Sequence, residues 1–207
     1  MPNTFSELDA AAKRLSFYRL EPNLPLPDET SVRSSAATVG FNNLPDDVVD
    51  FYCRFGAGAF DRPALLPLPA ACPLGEVFWV DILYAIGAGR DWSPTELFQS
   101  TYAERLPEYF LPIGTDPGGS LLILGVEDRK GIYVWDHEHR ELLVGEFDQR
   151  VAELQAKGVD THNLDVDKIL LLWDLEFLSR VKNPSGHGNL YPVADSFAQA
   201  CTLLQEQ

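Results

Sequence analysis

Residues 111–135 restrict the fold of this chain more than any other stretch. Residues 111–114 read as an apolar strand that leads into Thr115-Asp116-Pro117-Gly118-Gly119, and residues 120–126 run out as a second strand rich in Leu and Ile. Residues 127–131 form a further turn and residues 132–135 a third strand, so two adjacent hairpins are expected. No helix long enough for a crossover separates these strands, and they must therefore pair antiparallel. Proline pre-sets φ and a following glycine admits positive φ, so Asp116-Pro117-Gly118-Gly119 suits a type II turn with Gly118 in the left-handed position. Such a loop could cradle an anion on its N–H groups. No helix or basic residue follows it, which favours the purely structural reading.

Helices are expected around these strands. Thr4 and Glu7 have the spacing of a capping box, and Leu8, Ala11, Ala12 and Leu15 then recur with helical period over residues 4–15. Residues 21–39 turn to Pro, Ser and Thr and read as an extended surface connector. A second helix opens at Pro45, placed at a first helical position, with Asp46 and Asp47 at the positive end of its dipole. Val48, Phe51, Tyr52 and Phe55 form its apolar stripe, and Gly56 stops it. Gly56, Gly58, Pro63, Pro67 and Pro69 then impose loops. A strand over residues 77–86 puts Phe78, Val80, Ile82 and Tyr84 on one face. Ser93, Pro94 and Glu96 open a third helix with a capping box, ending before Pro107. Phe147, Val151 and Leu154 indicate a short helix stopped by Gly158, and the apolar residues 166–182 read as a largely buried helix, although their periodicity also admits a strand. A last short strand at 190–193 precedes a helix capped by Asp195 or Ser196, with Phe197, Ala200, Cys201 and Leu204 on its buried side.

The fold class expected is α+β, a central antiparallel sheet flanked by helices. At 207 residues one core is expected. Residues 1–39 would supply a helix and connector packed on a domain formed by residues 40–207, with a helical insertion at about 140–188.

Charge narrows the function. With 16 Lys+Arg against 31 Asp+Glu, the net charge of −15 opposes phosphate backbones and anionic lipid, so neither nucleic acid nor membrane is expected as a partner. A basic protein would instead be steered toward it. Cys53, Cys72 and Cys201 are odd in number and far apart, which fits a reducing compartment. The opening Met-Pro-Asn-Thr has neither the basic nor the apolar region of a signal peptide, and a cytoplasmic location is expected.

No arrangement of reactive residues stands out. There is no Gly-x-Ser-x-Gly elbow, no His-Glu-x-x-His and no phosphate loop, and the Gly-x-Gly pairs lack the third glycine of a dinucleotide site. His137 and His139 would share a strand face and could bind a metal with Asp136 or Glu141. The spacing signals no further ligand, and a polar hairpin tip accounts for them better. No catalytic residue, cofactor or metal is expected, and the chain is read as a non-enzyme.

Four segments carry a resemblance to a known family. Leu44-Pro45-Asp46-Asp47-Val48-Val49-Asp50-Phe51 resembles the helix opening of the SUKH superfamily, the Smi–Knr group of bacterial toxin-immunity proteins and yeast cell-wall synthesis regulators. Leu111-Pro112-Ile113-Gly114-Thr115-Asp116-Pro117-Gly118-Gly119-Ser120 resembles its central hairpin, with Ser120 where the family often has Asp. Ile132-Tyr133-Val134-Trp135-Asp136-His137-Glu138 is similar to the strand that follows, and Ala194-Asp195-Ser196-Phe197 to the opening of its terminal helix. Residues 54–58 depart from the family's usual Gly-Gly after the helix, and residues 140–188 exceed its usual connection. The resemblance implies a SUKH-like domain without a catalytic centre, in which Leu44, Pro45, Gly114, Asp116, Gly118, Gly119, Trp135, Ser196 and Phe197 serve the fold. It also implies protein binding, first as an immunity protein that occludes a cognate toxin, nucleases among them. A cell-wall-type regulator or scaffold is the alternative, and a metal-dependent or carboxylate hydrolase using the His137 and His139 region is a third reading. Asp46, Asp47, Asp116, Asp136 and Glu138 are the candidate partner contacts.

Overall fold

A computed structural model describes residues 4–69, 72, 74–102, 106, 109–136, 147–162 and 190–207. Seven strands form one sheet in the order β1 (Phe17–Arg19), β2 (Gly58–Pro67), β3 (Val77–Leu83), β4 (Phe110–Thr115), β5 (Leu121–Gly125), β6 (Gly131–Trp135) and β7 (Leu190–Ala194). Every neighbouring pair is antiparallel, as the short connections around β4, β5 and β6 require. Among the described residues six α-helices accompany them: α1 (Thr4–Arg14), α2 (Glu29–Thr38), α3 (Asp46–Arg54), α4 (Pro94–Gln99), α5 (Phe147–Ala156) and α6 (Phe197–Leu203). The architecture is the expected α+β class, as a single domain.

The core has two parts, one on each face of the sheet. On one face α1, α2, α3 and α6 cover the strands, and Leu8, Val32, Val48, Phe51 and Phe197 pack on Leu66, Val80, Leu83, Leu122 and Val134. On the other face a smaller cluster joins Tyr84, Leu106, Phe110, Leu121, Ile123, Trp135 and Leu190. β5 is therefore buried along its whole length, which is why its sequence is an unbroken apolar run instead of an alternation.

Several expectations need correction. Residues 21–39 contain α2, not only an extended connector: Asp28 caps it by accepting the Ser31 N–H at 2.7 Å, and Val32 and Ala36, one turn apart, anchor it in the core. The backbone hydrogen bonds lower the Asp28 carboxyl below its ordinary value. The cap is thus present above the ordinary carboxylate range and is lost as acid protonates it. The stretch expected to be loops from Gly56 to Pro69 holds β2. Ala59 pairs with Ile82 and Ala64 with Val80, so residues 60–63 bulge opposite Asp81 and give Pro63 a place where no ladder N–H is missed. The same irregularity breaks the expected β3 face. Phe78 and Val80 enter the main core, whereas Ile82 and Tyr84 join the smaller one.

Pro45 is the N-cap of α3, one position before the first turn, and α4 stops at Gln99, well short of Pro107. Ser93 caps α4 without a side-chain bond to the backbone; its hydroxyl meets that of Thr95 at 3.1 Å. In the β4–β5 loop the left-handed residue is Gly119 (φ +96°), not Gly118. The Asp116 N–H donates to the Ser120 carbonyl, closing a three-residue loop whose last member takes positive φ. Gly158, at φ +83°, stops α5 as expected. Residues 166–182 and most of the expected insertion at 140–188 lie outside the described residues.

Gly125 ends β5 where the chain folds back on itself. A Cβ there would run into the Arg129 carbonyl and lie 2.9 Å from the Tyr133 ring. Gly125→Ala should therefore lower stability by about 2–3 kcal/mol, read as a reduced urea midpoint with an unchanged slope.

Candidate partner-binding groove

Asp47 draws two of the resembling segments together. Its Oδ1 accepts the Val48 N–H at 3.0 Å in the first turn of α3, and its Oδ2 accepts the Ala198 N–H at 2.8 Å in the first turn of α6. One carboxylate thus satisfies N–H groups at the positive ends of both helices. The Ser196 hydroxyl accepts the Gln199 N–H at 3.1 Å, while the Gln199 side chain accepts the Asp195 N–H at 2.7 Å. Phe197 packs its ring 5.0 Å from that of Phe51, tilted at 59°. Asp47 is a structural link and is half-buried in that role.

Beside this junction opens a groove of about 410 Å³. Leu44, Leu124 and Phe197 border it but are themselves buried, and Asp46, Glu127, Lys130 and Asp195 supply its charge. Three carboxylates face one ammonium, so the local field has the sign of the whole chain. The carboxylates differ in their commitments. Asp46, its side chain 95% exposed, pairs with Arg33 at 2.6 Å. That guanidinium also holds Glu29 at 2.8 Å and the Leu44 carbonyl at 3.0 Å, and these carboxylates raise its pKa above the ordinary value. Glu127 accepts a neutral donor, the Asn43 amide, at 2.8 Å. It does so from a left-handed backbone (φ 57°), which a residue with a side chain seldom adopts. Asp195 is exposed, and its carboxylate makes no ion pair among the described residues.

Among the described residues, the expected partner contacts do not share a surface. Asp46 lines the groove and Asp47 lies behind it. Asp116 stands at the far end of β5, where its Oδ1 accepts the Ser120 N–H at 2.8 Å and fixes the loop. Asp136 has no exposed surface at all, so it is removed from any face a partner could touch. Glu138, with His137 and His139, lies outside the described residues. Trp135 is buried and meets Tyr102 edge-on at 6.3 Å, which makes it part of the smaller core. Asn43, Glu127, Lys130 and Asp195 were not singled out as contacts by the sequence. Asn43 and Glu127 are 84 positions apart, and Asp195 arrives only because β7 pairs with β6.

Nucleophilic chemistry has little support in the described thiols. Burial, the leading cause in each case, pushes Cys53, Cys72 and Cys201 above the ordinary thiol value. Among the described residues no group of three or more His, Cys, Asp or Glu could hold a metal ion. No described helix is long and apolar enough to cross a membrane.

Two measurements follow. Iodoacetamide at neutral pH should modify half-buried Cys53 slowly and reach Cys72 and Cys201 only on unfolding, as mass spectrometry of labelled peptides would record. Asp47→Ala should cost about 1–2 kcal/mol in chemical denaturation, because two helix N-termini lose their acceptor.

The family model described as SMI1 / KNR4 family (SUKH-1) matches residues 38–149. No curated protein and no solved structure matches the chain. The match runs from the end of α2, through the groove-forming turn after β5, into the start of α5; the Ser196-Phe197 segment lies beyond it and is joined to it by Asp47. With more than half of its 207 residues covered by that match, the chain belongs to the SMI1/KNR4 family (SUKH-1).

Proposed function

We propose that this protein works without catalysis, by binding and occluding another protein, and that it is an immunity protein protecting the cytoplasm against a cognate toxin. The observation that carries this reading is the groove beside the Asp47 junction, whose charged lining is three carboxylates and one ammonium. The net charge of −15 supports a basic partner, since complementary fields raise the rate of encounter and discourage wrong partners. A nuclease is such a partner, because the groove that receives its phosphate substrate is itself basic. Family membership is consistent with protein binding as the activity.

Co-expression tests the reading. The polypeptide encoded immediately beside this chain should arrest growth when produced alone, and the chain should relieve that arrest and co-purify with it one to one. The association rate should fall by roughly tenfold between low and high salt. Several weak, substoichiometric partners would point to a scaffold of the cell-wall regulator type instead. Absence of both rescue and complex would end the proposal.

A further inference from the structure

We infer that residues 24–28, held as an exposed strap of polyproline type, are a docking segment for an aromatic-lined groove on another protein. The strap, Leu24-Pro25-Leu26-Pro27-Asp28, belongs to the stretch expected as an extended connector and leads into α2. Proline holds its own φ at about −65° and pushes the residue before it into extended backbone. Leu24-Pro25 and Leu26-Pro27 therefore set the same left-handed extended helix twice, and Asp28 continues it at φ −83° and ψ 165°. Among the described residues the carbonyls of Pro25 and Leu26 accept no hydrogen bond, as that conformation requires. Leu24 is 41% exposed and Leu26 36%, with exposed Pro25 between them.

The strap is fixed at both ends. The Leu24 N–H closes a turn on the Glu21 carbonyl at 3.2 Å, and Arg19 Nη2 donates to the Leu24 carbonyl at 2.6 Å. Glu21 Oε2 accepts the Gly89 N–H at 2.6 Å. Pro27 lies so close to Gly87 that a Cβ there would stand 2.9 Å from its ring, and Asp28 is committed to capping α2. The shape is thus set before a partner arrives, and little ordering cost is left for binding. Chemistry then selects the occupant. Pro25 and Pro27 have no N–H, so the segment cannot extend another chain's ladder, and its prolines keep it from entering a groove as a helix. Apolar Leu-Pro steps beside open carbonyls suit flat ring faces with indole or phenol donors, the surface that reads proline-rich segments. The strap shares no residue with the groove of Asp46 and Asp195, so this inference goes beyond the reading above and stands apart from it.

The probes are a WW-type domain and a Src-homology domain of the proline-binding kind, each titrated into the isotope-labelled full chain and followed by backbone amide shifts. At least one should move the amides of Leu24, Leu26 and Asp28 and leave those of Trp79 and Tyr109, exposed aromatic positions elsewhere, in place. Pro25→Ala should weaken that binding about tenfold, as loss of a central anchor does, and Leu24→Gln at its exposed position should match it. Glu21→Gln loosens the latch on Gly89 and keeps every contact residue, and it should weaken binding about threefold. Unchanged amide positions outside residues 20–28 in each variant separate lost docking from lost fold. Silence from both probes, shifts centred elsewhere, or binding unchanged in Pro25→Ala and Leu24→Gln would overturn the docking segment. Shifts of the strap that grow with the concentration of the chain alone would overturn it in favour of a second copy.

Discussion

The central strands β4, β5 and β6 are covered on both faces, and most of the molecule follows from that requirement. Leu122 and Val134 look toward the helices, whereas Leu121, Ile123 and Trp135 look the other way. A strand that buries side chains in both directions has no face for water, so the sheet needs two separate coverings. The helices α1, α2, α3 and α6 supply one. Residues around α4, together with Leu106, supply the other. Because successive strands pair in sequence order, each hairpin can form locally before its coverings arrive.

The covering helices still have to be placed in register with one another. Asp47 does this for α3 and α6, and Arg54 joins α3 to α1 through Asp9 at 2.6 Å. The first of these contacts sets the groove, since its walls are the opening turns of α3 and α6 and the turn that follows β5. Exposed pairs such as Arg33 with Asp46 add little stability by themselves. Their larger effect is to decide which rim charges are already committed.

Much of the architecture was legible in the sequence. The antiparallel hairpins were readable because glycine and proline mark their turns, and α3 and α6 because their apolar residues recur at helical spacing next to recognisable caps. α2 was hidden by its Ser- and Thr-rich composition: only Val32 and Ala36 enter the core, too few to show a period. β2 was hidden by its prolines, which signal loops unless a bulge opposite Asp81 makes room for one of them. The groove was hidden for a different reason. Glu127 reads as an ordinary turn residue and Asp195 as a helix cap, and only the pairing of Ile132 with Ala194 across a long connection brings them to one place. Acidic residues near recognisable motifs were easier to notice, yet burial removes Asp136 and an intramolecular bond occupies Asp47.

Beyond α6 the backbone of Gln205 exchanges both hydrogen bonds with Leu65, at 2.8 and 2.9 Å, alongside the outer border of β2. At the opposite border β7 carries Pro192, which has no N–H to offer. Among the described residues, the stretch of β2 that extends past β1 and the outer strand β7 are thereby made poorer templates for a visiting strand. A molecule finished in this way resists zipping onto unfolded neighbours, and it leaves recognition to side-chain chemistry instead of main-chain ladders.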